Sequence, residues 1–205
     1  MLNRAAARVS LRSRERKLRL FLELFHPGPD TTLVDVGVTD APFGGEDGSS
    51  DNFFEALYPW PARITAVGHT GLERFAAAFP QVTTVRADGR ELPFEDGQFD
   101  LGFSNAVVEH VAGGRAEQRR FVGELCRVAG RVMVTTPNRF FPLDPHSLLP
   151  FVHWLPDGDL RRRALRARGF DDVLDPLGPG ELASLFPFPV RIVSRGMTLV
   201  AVGPK

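Results

Sequence analysis

Short runs of consecutive apolar residues alternate along the chain with stretches whose apolar positions recur at helical spacing. Residues 32–38, 63–68, 82–85, 99–104 and 130–136 are the near-continuous runs. Such runs are expected of parallel strands covered on both faces. The helical spacing appears first over residues 1–26, where Leu11, Leu18, Leu20, Phe21, Leu22 and Phe25 supply an apolar face. Residues 71–79 read as a second helix, and residues 115–128 as a third with Phe121, Leu125 and Val128 inward and Arg119, Arg120 and Arg127 outward. A short helix over 53–57 has Asn52 as its predicted cap, with Glu55 three residues on. Ser104 or Asn105 is predicted to cap a helix that presents Val107, Val108 and Val111 on one face. A basic helix over 159–169 and a short helix from Gly178 follow. Two final runs, 190–194 and 197–202, flank Arg195-Gly196 and read as an antiparallel hairpin. Strands alternating with helices predict an α/β fold: a single central, mostly parallel sheet with helices on both faces and a C-terminal antiparallel hairpin.

Polar residues gather where these strands end, and ligands of open parallel sheets sit outside those carboxyl ends. The densest such region is 85–111. There Asp88 follows a strand, Leu92-Pro93-Phe94 forms an apolar plug in a charged loop, Phe99-Asp100 opens the next strand, and Glu109-His110 follows that strand. Arg127-Val128 and Thr136-Pro137-Asn138 bracket the fifth strand. In this order and register the chain closely resembles the class I S-adenosylmethionine-dependent methyltransferases of the small-molecule type. The resemblance covers about residues 30–203 and implies a Rossmann-like fold with seven strands. It also implies S-adenosyl-L-methionine as cofactor, lying across the ends of the first three strands. The positions it marks for cofactor contact are Asp35, Gly37, Asp88, Gly89, Leu92, Asn105 and Ala106. Asp88 stands where the family's acid meets the adenine amino group, or else caps its own turn. Two positions depart from the family. Thr39 occupies the place of the second glycine in the first motif, with Gly44, Gly45 and Gly48 arriving later, and Gly68-His69-Thr70 replaces the acid that holds the ribose.

Charge and cysteine content narrow the setting. Lysine plus arginine and aspartate plus glutamate number 25 each, so net charge is zero and gives no bulk attraction to nucleic acid or to an anionic membrane. Cys126 is the single cysteine, which excludes an internal disulfide and fits a reducing, cytoplasmic setting; its place in a helical pattern predicts a packed thiol. No apolar run reaches the ~20 residues of a membrane-spanning helix, so membrane insertion is not expected. No metal is expected either, since His146 and His153 match no familiar ligand spacing. Residues 1–29 read as a basic amphipathic helix, and 30–205 as the methyltransferase-like domain with a lid or substrate insertion over 139–180.

Methyl transfer is an in-line displacement in which the protein aligns the nucleophile, excludes water and takes up a proton. The candidate bases are His110, then His146 and His153 in the aromatic and proline-rich segment 139–156; His110 equally reads as a residue that ties down the Glu109 segment. Arg12, Arg14, Arg16, Lys17 and Arg19 form either a phosphate site or a solvated face. The expected activity is methyl transfer to an O or N atom of a small-molecule acceptor. The alternative reading is a catalytically inactive methyltransferase-like binding or scaffolding protein, drawn from the two motif departures. A nicotinamide enzyme is the weakest reading, because no G-x-G-x-x-G is present.

Overall fold

The computed structural model describes residues 4–44, 51–143, 149–155, 158–167 and 175–204. Seven strands make one sheet: β1 (Leu33–Val36), β2 (Ile64–Gly68), β3 (Thr83–Arg86), β4 (Phe99–Asn105), β5 (Ala129–Pro137), β6 (Arg191–Arg195) and β7 (Thr198–Gly203). Their order is β3-β2-β1-β4-β5-β7-β6. The first five run parallel, and β7 runs antiparallel to both β5 and β6. The connections diverge between β1 and β4, so a ligand crevice is expected above that pair.

Period-two alternation sends successive side chains to opposite faces. On one face Leu33, Phe103, Met133 and Val200 meet the helices α1 (Arg4–Phe25), α2 (Phe53–Leu57) and α3 (Glu73–Ala78). On the other, Val34, Val36, Val132 and Val134 meet α4 (Arg115–Val128) and α6 (Pro179–Ala183). A further helix, α5 (Asp159–Arg166), packs on the turn Val152–Trp154. The α1 contact is aromatic. Phe21 meets Phe54 edge-on at 5.0 Å and Phe103 at 5.6 Å, while Phe54 stacks on Phe103 at 4.2 Å. Arg131 adds a hydrogen bond to the Leu24 carbonyl and lies 4.6 Å over the Phe25 ring. Burial of such rings, each contributing roughly 1.5–3 kcal/mol, fixes α1 across the sheet.

Two local expectations are corrected and a third holds in part. Asn52 does not cap α2. It sits in the left-handed region at φ 55, its Oδ1 accepts the Thr39 N–H, and its Nδ2 donates to the Thr39 and Ala41 carbonyls. No α-helix starts after β4: a single 3-10 turn, Val108–His110, is followed by Gly113 and Gly114 at φ 99 and 76, and the helix resumes at Arg115. Positive φ at consecutive residues breaks helical propagation, which explains the interruption. Cys126 packs against the core as expected, though it is only partly buried, and burial pushes its thiol up to about 12.

Candidate active site

The same alternation that builds the core points Asp35, Asn105 and Thr135 to the α1–α2 face, with Asp35 beside Phe103 and Asn105 beside Thr135 in register. At the carboxyl ends of β1 and β4 a cavity of about 280 Å³ opens on this face. Asp35, Glu55, Asn105, Ala106, His110 and Arg14 line it, together with Gly37. Gly37 has φ 111, and a Cβ there would sit 2.2 Å from a Val107 methyl, so the backbone must approach without a side chain. Backbone N–H groups of Gly37 and Val38 donate to the Val67 carbonyl, and Ser104 donates to the Val36 carbonyl. These bonds hold the strand ends together under the cavity.

Asp35 and Glu55 are both buried and face each other. Burial pushes Asp35 well above the usual carboxylate range, and the opposing Glu55 pushes it further. Burial raises Glu55 as well. No hydrogen-bond donor of the protein is paired with either Glu55 oxygen. Two carboxyls in one dry corner cannot both ionise, so the pair holds a proton until a cation replaces it. Across the cavity Arg14 pairs with Asp51 at 2.8 Å and lies 6.0 Å over the Phe53 ring. The site therefore offers acceptors for a cation at one wall and a guanidinium at another.

Asn105 forms the far wall. Its Oδ1 accepts Lys17 Nζ at 2.7 Å and Thr135 Oγ1 at 2.8 Å. Burial, then the nearby Arg14, pull Lys17 down to about 8, against the opposing influence of Glu109. Glu109 is itself buried and accepts the Thr136 hydroxyl at 3.0 Å.

Of the residues marked by the sequence, Asp35, Gly37, Asn105, Ala106 and His110 come together here. Asp88, Gly89 and Leu92 lie at the end of β3 and in the loop after it. Asp88 accepts Arg90 Nε and Nη2, which holds its carboxyl down to about 2. Arg90 also reaches Glu117 at 3.0 Å. Gly89 packs under Phe121, and Leu92 is part of the core. His153 is elsewhere, its Nε2 at 2.9 Å from the Arg139 carbonyl and its ring edge-on to Trp154. His146 lies outside the described residues.

Sequence reasoning missed Glu55 as a site residue, and offered Arg14 and Lys17 only as part of a phosphate site or solvated face. Glu55 was assigned to a capping role, although an acid directly after Phe53-Phe54 on a core-facing helix was a usable signal. Arg14, Lys17, Leu18, Phe21 and Phe25 recur at three- and four-residue spacing, which puts both cations on the buried face of α1.

Residues 52–131 match a family described as "Methyltransferase domain". The matched stretch begins after β1 and its loop, leaving the altered glycine motif outside. None of the curated proteins matches the chain at the sequence level. Among solved structures, an S-adenosylmethionine-dependent methyltransferase from Mesorhizobium loti is similar with TM-score 0.59 and 16% identity, covering 91% of this chain and 95% of its own. One from Methanosarcina mazei gives 0.55 and 12%, covering 89% and 94%. The geranyl diphosphate C-methyltransferase of Streptomyces coelicolor A3(2), crystallised with Mg2+, geranyl diphosphate and S-adenosyl-L-homocysteine, gives 0.56 and 12%, covering 93% and 79%. At these identities the likeness concerns the fold, and the strand order and antiparallel tail described above are that fold. The chain thus carries a stretch that matches a methyltransferase domain, within a sheet whose fold is that of S-adenosylmethionine-dependent methyltransferases.

Proposed function

We propose that the chain transfers the methyl group of S-adenosylmethionine to an O or N atom of a small-molecule acceptor, with the 280 Å³ cavity receiving the amino-acid end of the cofactor. The observation that carries this reading is the pair of Glu55 oxygens, buried in the cavity with no donor. Two facing buried carboxyls can relieve their burial only by sharing a proton or by meeting a cation, and a ligand ammonium is such a cation. Asp35 shares that role, and Arg14 on the opposite wall suits a ligand carboxylate. The residues present thus fit an α-amino acid moiety, the end that S-adenosylmethionine carries beside its sulfonium.

When bound, S-adenosylmethionine supplies an electrophilic methyl group on sulfur. The protein's share is alignment, exclusion of water and proton management. Gly37 lets the backbone approach, and Asn105, held by Lys17 and Thr135, presents a fixed amide edge at the end of β4. His110 lines the same cavity and is assigned to hold the acceptor's proton. Asp88 and Leu92 are assigned to the adenine end, Asp88 retaining acceptor capacity beyond its Arg90 contacts because a carboxylate has roughly four lone-pair sites.

The test is calorimetric titration of the full chain with S-adenosylhomocysteine, beside Glu55→Gln and His110→Ala. Micromolar binding that is weakened in Glu55→Gln and kept in His110→Ala supports the assignments. Wild-type protein that fails to bind would remove the transferase reading and favour a scaffolding role.

A further inference from the structure

A second cavity, about 450 Å³, lies between α1 and the β6–β7 hairpin. Arg16, Lys17 and Arg19 line it from α1, with Arg195 and Thr198 from the hairpin and a single acid, Glu23. It adjoins the first cavity through one residue pair: Lys17 lines the second cavity, and its Nζ holds Asn105, which lines the first. The sheet register agrees, since Asn105 sits beside Thr135 and Thr135 beside Val200, which also lines the second cavity.

The charges here are arranged unlike those elsewhere on the fold. Arg90, Arg115, Arg127 and Arg139 each lie in carboxylate pairs. Among the described residues Arg16, Arg19 and Arg195 make no ion pair or side-chain hydrogen bond, yet they converge on one concavity. Three guanidiniums around a cavity with one carboxylate form a site for an oxyanion, which arginine binds through paired N–H donors. Lys17, pulled down to about 8 and already donating to Asn105, carries less of that task.

We infer that this cavity is the acceptor site of the transferase and that the acceptor carries a carboxylate or phosphate, held by Arg16, Arg19 and Arg195 with its reacting group toward Lys17 and Asn105. The inference rests on the methyl-transfer reading above for the word acceptor. The oxyanion site stands on its own residues. The position suits the role, because the two ligands would enter from opposite sides of Asn105.

The experiment titrates the full chain, alone and saturated with S-adenosylhomocysteine, with 4-hydroxybenzoate, phenyl phosphate and the neutral 4-hydroxybenzamide, following ligand resonances by NMR. The expected result is that one or both anions bind at least about tenfold more tightly than the amide, as a charged hydrogen bond requires. That preference shrinks as salt is raised. Arg16→Gln combined with Arg195→Gln weakens the anions by about tenfold or more while S-adenosylhomocysteine binds as before. Preference for the carboxylate over the phosphate, or the reverse, names the acceptor's anion. Anions bound no better than the amide, or equally well by the double variant, would overturn the inference. Adsorption to phosphatidylglycerol vesicles without binding of either soluble anion would overturn it too, in favour of a lipid surface. Loss of S-adenosylhomocysteine binding with anion binding intact would instead remove the transferase reading and leave the oxyanion site standing.

Discussion

The two cavities that meet at Asn105 carry opposite charge and handle it in opposite ways. On the β1 side the charge is acidic and buried: Asp35 and Glu55 face each other at the wall of the cavity with almost no exposed surface. On the hairpin side it is basic and solvated: Arg16, Arg19 and Arg195 stand exposed around an open hollow. Burial makes the first pair expensive and therefore selective, since only a cation or a proton relieves it. Exposure makes the second set cheap, tolerant of ligand shape and sensitive to salt. A cofactor of fixed structure suits the first kind of site, and a variable acceptor suits the second.

The largest effect is expected at the acidic pair. Asp35→Asn combined with Glu55→Gln removes both ionisable acceptors, and each lost charged hydrogen bond costs about 1.5–3 kcal/mol. S-adenosylhomocysteine should therefore bind at least about 100-fold more weakly by calorimetry; near-native affinity would show that the cavity receives something else. Next comes Gly37→Ala. Its Cβ would meet Val107 at 2.2 Å on a backbone with φ 111, and overpacking of this kind costs ~1–3 kcal/mol in a denaturation experiment. An unchanged melting temperature would mean that the strand end yields easily.

The acidic pair also predicts a pH dependence whose sign is fixed. Both carboxyls are raised in the fold, so their contribution to stability is full below the ordinary carboxylate range near pH 4. It is lost as pH rises through the raised values. Wild-type stability in urea should fall over that window more steeply than in Glu55→Gln, and cofactor-product binding near pH 7 should release protons, read from titrations in buffers of different ionisation enthalpy. Parallel slopes in the two proteins would argue that the carboxyls do not share a proton.

The smallest effect is at Asp88. Its pair with Arg90 is about one third exposed and open to solvent, so Asp88→Asn should move the melting temperature by less than about 4 °C at neutral pH. Because its carboxyl is held down to about 2, this contribution is present above its ordinary value near 4 and disappears as pH falls through about 2. A larger loss would show that the Arg90–Glu117 link organises the β3 loop.

Much of this architecture was legible from residue patterns. The apolar runs at 63–68 and 99–104 became β2 and β4 with small shifts at their ends, and Leu92-Pro93-Phe94 with Thr136-Pro137-Asn138 pointed to the family. Local signals failed where a residue's role was set by something distant in sequence. Asn52 has the composition of a helix cap, yet its amide is used to tie the loop at Thr39 and Ala41. Glu55 has the spacing of a capping-box acid, yet α2 buries it against a strand that ends nineteen residues earlier, at Val36. His110 reads as a helix-start residue, while Gly113 and Gly114 leave it in a single turn beside the cavity.

Strand alternation, helix periodicity and turn residues are short-range properties, and they carried the fold class and the strand succession, while the family resemblance marked Asp35, Gly37 and Asn105 as cofactor positions. The environment of each charge is a long-range property. Arg14 and Lys17 became site residues because the aromatic contacts of Phe21 with Phe54 and Phe103 press α1 over the strand ends. Glu55 became a partner of Asp35 because α2 packs on the same face. The chain alone specified which groups can ionise; docking of two helices on one sheet face set which are desolvated, and desolvation separates a solvated arginine from a buried acid with a raised pKa.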